Sequence, residues 1–545
     1  MTLRSALSIA MLFAAPLASA QTVELISLNR NGLRSNGASY SPEISADGRY
    51  LAFGSLANDL VAGDTNGQPD IFVHDRVSGA TVCASVTPFG VPGNGFCHGP
   101  AISGDGRFVA FHSDASDLVA SDTNGLRDVF VRDMVNGTTV IASVDSNGVL
   151  SNNLSSEPSL SGDGRFVAFQ SYANNLVPND TNGLELDVFV RDLVAGQTTR
   201  VSVDSSGGEG DLGSALPSIS ADGTRVVFVS SATNLVPGDT NGLSDVFGHD
   251  RVSGQTVRLS VGPGGLEANH TSTNPAISAD GLFAAFESNA SNLVAADTNN
   301  QGDIFVVDLT TRVVSRVSVD SAGIEGNAFS RFPDISAGGR FVSFGSHAFN
   351  LVPNDNNLDR DIFVHDRMSG VTTRVSTDAA GNEGDGWSLH STMTADGREV
   401  TFESLATNLV PVDTNNERDV FVRDRITLSF VGTPSMGSPA HFELSDAFGE
   451  SGHTALVVIS CSGTSGIPLP GGKTLPLTVD SCLVLGLKLS ALLSGVIDAQ
   501  GFAATPTVPF PSAQVGLTIY GAGVTVDTVN GVFESVTGPI SFVTQ

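Results

Sequence analysis

Carboxylates and side-chain amides recur at positions one, three and seven of a short loop that reads, in its fullest form, Asp-Thr-Asn-Gly-x-x-Asp. The sets are Asp64/Asn66/Asp70, Asp122/Asn124/Asp128, Asp239/Asn241/Asp245, Asp297/Asn299/Asp303, Asp355/Asn357/Asp361 and Asp413/Asn415/Asp419, with Asp180, Asn182 and Asp187 forming a seventh that has one extra residue. Oxygen donors spaced this way around a Gly- or Asn-bearing turn can wrap a hard cation, and calcium accepts about six to eight oxygens in flexible geometry. The loops lack the full spacing and terminal bidentate Glu of an EF-hand. The same residues also close turns with no metal, because Asp and Asn bond their own backbone and tolerate positive φ. Calcium and self-closing turns are therefore both open at this level.

These loops belong to a longer period. Ser-x-Asp-Gly places Asp47, Asp105, Asp163, Asp222, Asp280 and Asp396 at steps of 58 or 59 residues, with Gly338 at the sixth position. Each of the seven copies carries one Phe soon after this turn and a second in Asp-(Ile/Val)-Phe, from Phe53 and Phe72 to Phe402 and Phe421, so 14 of the 31 Phe sit at two positions. Four short segments rich in Val, Ile, Phe and Thr fill each copy, in the first near 42–45, 49–53, 70–75 and 81–86. Four strands per unit predict a propeller blade, with the Phe ladder as core between blades. Copy seven lacks its fourth segment, and residues 21–27, upstream of the first copy, match that text. The mature N-terminus is thus expected to complete the last blade and leave no free sheet edge. Repeat Asp positions account for 27 of the 57 acidic residues, so much of the formal charge of -30 is architectural.

The stretch Ser161-Gly162-Asp163-Gly164-Arg165-Phe166-Val167-Ala168-Phe169, followed by Asp187-Val188-Phe189-Val190-Arg191-Asp192, resembles the WD40-like (PD40) repeats of TolB-type propellers. Similar repeats occur in propeller domains of some prolyl oligopeptidase-like enzymes. The resemblance recurs in register through all seven copies and implies an all-β, seven-bladed β-propeller. For function it implies little, because one propeller fold hosts many tasks.

The turn between strands one and two and the hairpin between three and four are short and make one tight face. The second-to-third connections and the blade-to-blade connections are long and emerge opposite, where binding residues usually sit on a rigid scaffold. Trp387, the only Trp, lies in such a loop beside Asp385, and His98 and His390 lie near blade starts on the same face. These four are the candidate contact residues for a protein, peptide or glycan ligand. Along the channel the strand-one positions Glu43, Ala101, Ser159, Ser218, Ala276, Asp334 and Thr392 are mostly small and offer two carboxylates. Gly-x-Ser-x-Gly and His-Glu-x-x-His are absent, and His74, His249 and His365 share one repeat position as strand residues. A binding scaffold is the expected function. The alternatives are a calcium-stabilised structural protein of the cell surface and a hydrolase or lyase with its site at the channel mouth.

Residues 1–20 carry Arg4, an apolar run over 6–15 and the ending Ala18-Ser19-Ala20, the pattern of a cleaved secretory signal. Export to the periplasm, the medium or the cell surface is expected, and in an oxidising compartment Cys83 with Cys97 and Cys461 with Cys482 are expected to form disulfides, although four cysteines allow three connectivities. The apolar run at 483–497 alternates like a strand and holds Lys488, so membrane insertion is not expected. With 27 Lys and Arg against 57 Asp and Glu, the chain is unsuited to nucleic acid, whose binding needs cations to displace counterions. The expected domains are the signal at 1–20, the propeller at 21–431 and a small β-sandwich-like domain at 432–545.

Overall fold

The structure, a computed structural model, describes residues 23–425 apart from 412 and 414, together with the backbone of ten short strands between 427 and 542. One compact unit spans Thr22–Arg425 and a second contains Ile426–Gln545. Residues 1–22, on which the expected signal falls, the side chains of the tail, Cys461 and Cys482 lie outside the described residues.

Seven antiparallel four-stranded sheets make up the first unit. Blade 1 consists of Ser39–Ile44, Tyr50–Ser55, Asp70–Asp75 and Ala80–Cys83, hydrogen-bonded in that order, and blades 2 to 6 repeat it. In blade 7 the fourth strand is Val23–Leu25, which pairs antiparallel with Asp419–Asp424 in the register Glu24 to Val422, so the N-terminal segment closes the ring. The first strand of every blade is its sheet's innermost edge and neighbours the first strands of the adjoining blades. Among the described residues the only helical turn is Pro263–Gly265, and no helix is long and apolar enough to cross a membrane.

The repeated residues explain this regularity. In the Ser-x-Asp-Gly turn, Ser45 Oγ donates to Asp47 Oδ1 at 2.7 Å while accepting the Tyr50 amide at 2.9 Å, and Gly48 supplies φ of +76°. The two Phe of each copy pair across adjacent strands with ring centroids 5.8–6.0 Å apart, and all fourteen are fully buried. Each such ring is worth about 1.5–3 kcal/mol. Blade-to-blade packing therefore outweighs any single surface ion pair, at about 0–1 kcal/mol. The cores are shared between neighbours: Ile44, Leu51 and Phe53 of blade 1 pack with Val420 and Val422 of blade 7.

One device is invisible in the sequence pattern. The third residue of every first strand has positive φ: Ser41, Gly99, Glu157, Leu216, Asn274, Phe332 and His390, from +40° to +58°. The pairing register slips there in every blade. This β-bulge re-aims the chain at the long-loop end of the channel.

The expected Cys83 to Cys97 bridge is not formed, and both residues are free thiols. Cys97 stands where most blades have a serine facing a second serine: its Sγ lies 3.1 Å from Ser113 Oγ, as Ser39 Oγ lies 2.9 Å from Ser55 Oγ. Cys83 ends the fourth strand and faces Ser85 Oγ at 3.4 Å. Burial raises both thiols, Cys97 to about 12.

Candidate functional site

The Asp-Thr-Asn loops form a lock between strands three and four. In blade 1 Ser85 Oγ donates to Asp70 Oδ1 at 2.5 Å, Asn66 Nδ2 donates to Asp70 Oδ2 at 2.7 Å and to the Gly93 carbonyl at 2.8 Å, and Asn66 Oδ1 accepts the Gln68 amide. The Asn therefore turns its nitrogen toward the carboxylate and spends its oxygen on its own turn. Equivalent bonds recur at Asn124, Asn241, Asn299, Asn357 and Asn415. Asn182 keeps its bond to Asp187, but its Oδ1 has no partner, because the extra residue of that loop displaces the amide it would meet.

In five blades an arginine reaches the two aspartates. Arg200 Nη1 lies 3.5 Å from Asp180, 3.3 Å from Asp187 and 2.8 Å from Glu209, and Arg258, Arg316 and Arg374 repeat this with Glu267, Glu325 and Glu383. In blade 7 the cation comes from the N-terminal segment: Arg34 lies 3.3 Å from both Asp413 and Asp419. The carboxylate oxygens of Asp297, Asp303 and Glu325 lie within 4.8 Å of one another, as metal ligands would, but the Arg316 guanidinium sits among them.

A different cluster gathers at the channel mouth, where blades 7, 1 and 2 meet. Tyr40 stacks on His98 with centroids 5.1 Å apart, and His98 also stacks on Phe96 at 5.7 Å and meets His112 at 5.6 Å. Gly54 makes room for Tyr40, since a Cβ there would lie 2.5 Å from its ring. Beside Tyr40, Glu403 accepts from His390 Nδ1 and from Arg418 Nη1, both at 3.0 Å, and from the Ser41 bulge amide at 2.7 Å. Arg418 lies over Trp387 at 5.3 Å, and Arg127 and Arg360 lie over Phe96 and Phe329 at the same two repeat positions in blades 2 and 6. Burial pushes Glu403 up, but the bond from His390 and the charges of His390 and Arg418 outweigh it and hold the carboxylate below its usual range. Burial, then the charge of His390, lowers His98, and burial lowers His112 to about 3.

Of the four candidate contact residues, the structure brings Trp387, His390 and His98 into this cluster. Asp385 faces elsewhere: its carboxylate takes the Thr407 hydroxyl at 2.7 Å, at a repeat position where Asp211 does the same for Thr233. Sequence reasoning missed Tyr40, His112, Glu403 and Arg418. Their signal is variation at fixed repeat positions, as in Gly54, His112, Gln170, Val229, Glu287, Gly345 and Glu403. Deeper in the channel, Glu43 and Asp334 are half-buried. Burial, with the charge of Asp334, lifts Glu43 to about 8, and burial lifts Asp334 to about 7.

The propeller resembles TolB. TolB from Acinetobacter baumannii aligns at 14% identity with a TM-score of 0.33, over 62% of this chain and 63% of that one, so the chain spans less than two thirds of that protein. An oligogalacturonate lyase in complex with manganese aligns at 11% identity, over 75% and 94% of the two chains, with a TM-score of 0.46. The β-propeller domain of the Trilobed protease from Pyrococcus furiosus aligns at 11% identity, over 72% and 94%, with a TM-score of 0.44. No family model matches the sequence, and no curated protein matches it. The likeness is one of fold.

Proposed function

We propose that the protein is a binding module that takes its ligand at the channel mouth across blades 7, 1 and 2. The observation that carries this reading is the one-sided cluster of Trp387, Tyr40, His98 and Phe96 with Arg418 and Arg127 on a scaffold of seven repeated blades. At the positions of Phe96 and Trp387, blades 3 to 5 have Leu154, Gly213 and Thr271, which offer no ring. Aromatic faces beside guanidinium groups suit a ligand that presents an apolar or sugar-ring face next to a carboxylate. For an exported chain, as residues 1–20 suggest, a glycan or peptide outside the cytosol is the matching class.

Trp387, as the sole Trp, makes intrinsic fluorescence a local reporter. Mature protein is titrated with acidic and neutral oligosaccharides and peptides while Trp emission is followed. A saturable shift that weakens at least tenfold in Arg418→Ala and in Tyr40→Ala supports the site. A ligand that binds both variants as tightly as the wild type, with Trp emission unmoved, overturns it.

The Glu43 and Asp334 pair favours a second reading, acid–base chemistry in the channel. Carboxyl groups raised to about 8 and about 7 carry protons near neutrality and can serve as general acids. Turnover of a bound ligand that is lost in Glu43→Gln, with binding intact, would select this reading.

A further inference from the structure

Blade 2 keeps the two aspartates of the lock and loses their cation. The strand-four residue opposite the second Phe is Arg200 in blade 3 but Ile141 in blade 2, and the residue bridged to the next turn is Glu209 in blade 3 but Leu150 in blade 2. Asp128 is still satisfied, by Ser143 Oγ at 2.5 Å, Ser151 Oγ at 2.9 Å and Asn124 Nδ2 at 2.7 Å. Asp122 is not: it is 7% exposed, neither Oδ1 nor Oδ2 has a partner in good hydrogen-bond geometry, and only the Asn124 amide approaches the carboxylate. A buried carboxylate without a partner is destabilising by several kcal/mol unless it takes up a proton or a cation.

We propose that blade 2 binds a divalent metal ion of the calcium type between Asp122 and Asp128, in the place a guanidinium fills in blades 3 to 6. The donors are oxygens throughout: both of Asp122, Oδ2 of Asp128, and the main-chain carbonyl of Ser121. The counterparts of that carbonyl, at Asn179, Ala296 and Asn354, accept from the second guanidinium nitrogen of Arg200, Arg316 and Arg374. Water completes the shell. Oxygen-only donors from a loop and a strand end, with irregular geometry, select calcium over magnesium, which demands a near-octahedral set. Asn124 is not a ligand, because its oxygen accepts the Leu126 amide at 2.9 Å.

The test uses mature full-length protein stripped with chelator, the double variant Ile141→Arg/Leu150→Glu, which rebuilds the arrangement of blades 3 to 6, and Asp122→Asn. Calcium is titrated calorimetrically, and melts are recorded with chelator and with calcium. The expected result is that each variant binds one equivalent less than the wild type and that its melting temperature rises less with calcium, as mass action requires. Should the double variant fail to fold, Asp122→Asn alone decides. The proposal is overturned if wild type binds no calcium up to about 10 mM, tenfold above the weakest range of extracellular calcium modules. It is equally overturned if the folded variants bind as many equivalents as the wild type; a proton held by Asp122 would give the first of these outcomes.

Discussion

Arg34 and Asp419 stand 385 residues apart in the chain and 3.3 Å apart in the fold. Beside them Ser27 Oγ donates to Asp419 Oδ1 at 2.5 Å, the role Ser85 plays for Asp70 inside blade 1. The N-terminal segment therefore brings to blade 7 the serine and the cation of the lock as well as a strand. It differs in where the cation sits: Leu25 holds the position of Arg200, and Arg34 holds that of Glu209.

Arg34→Ala leaves Asp413 and Asp419 facing each other with their cation gone, both nearly inaccessible. Breaking a buried pair from one side costs about 3–5 kcal/mol. The variant is expected to melt several degrees lower at pH 7. Its aspartates sit further above their unfolded values than in the wild type, so the folded variant holds more protons and its deficit shrinks as pH falls toward 5. Melts at pH 5, 6 and 7 check this, and a deficit independent of pH would refute the electrostatic cause.

Blade 4 offers the converse of blade 2. Arg258→Ile strands Asp239, Asp245 and Glu267, whereas Arg258→Ile with Glu267→Leu copies the Ile141 and Leu150 arrangement. The single variant is expected to lose about 3–5 kcal/mol. The double variant should recover at least about 1 kcal/mol of that loss, since contacting charges couple by about 0.5–3 kcal/mol. Denaturant midpoints of the two variants and of Glu267→Leu complete the cycle.

Much of this was legible before any coordinates. The seven copies, the four strands of each, the Phe ladder and the closure by residues 21–27 all follow from repeat text, and the sheets agree. The bulge was not, because Ser41, Gly99, Glu157, Leu216, Asn274, Phe332 and His390 share no residue type although all have positive φ. The Cys83 and Cys97 expectation rested on proximity in sequence, whereas each thiol occupies a repeat position set by other blades, Cys97 as a serine and Cys83 at the arginine site. The arginine locks were legible in principle: Arg with Glu nine residues later recurs at one repeat position in copies three to six. The channel-mouth cluster was only half legible, because Tyr40, Glu403 and Arg418 meet through ring closure, which unites residues at opposite ends of the propeller sequence.

Five blades tuck a positive-φ glycine beneath the aromatic ring of the blade before. A Cβ on Gly106 would meet Tyr50 at 2.1 Å, and one on Gly164 would meet Phe108 at 2.3 Å. Gly164→Ala carries both a backbone penalty of about 1 kcal/mol or more and displacement of a partly buried ring. It is expected to lower the melting temperature clearly, whereas Gly125→Ala, with the same sign of φ and open space, should cost the backbone part alone. Equal losses in the two variants would show that the ring contact is immaterial.

The channel carboxyls set the sign of the pH response. Glu43 lies at about 8 and Asp334 at about 7, both raised from ordinary values by burial. Between the unfolded and the folded values the native state holds more protons, so this contribution to stability is full below about pH 4 and is lost as pH rises through 7 to 8. The partial exposure of both groups reduces its size. Glu43→Gln keeps the shape and removes the titration, so its melting temperature should match wild type at pH 5 and exceed it at pH 8 by about 2 °C, near 1 kcal/mol. A variant that tracks the wild type at every pH would mean that the carboxylate is ionised in the fold throughout, and chemistry that relies on its proton at neutral pH would fall with it.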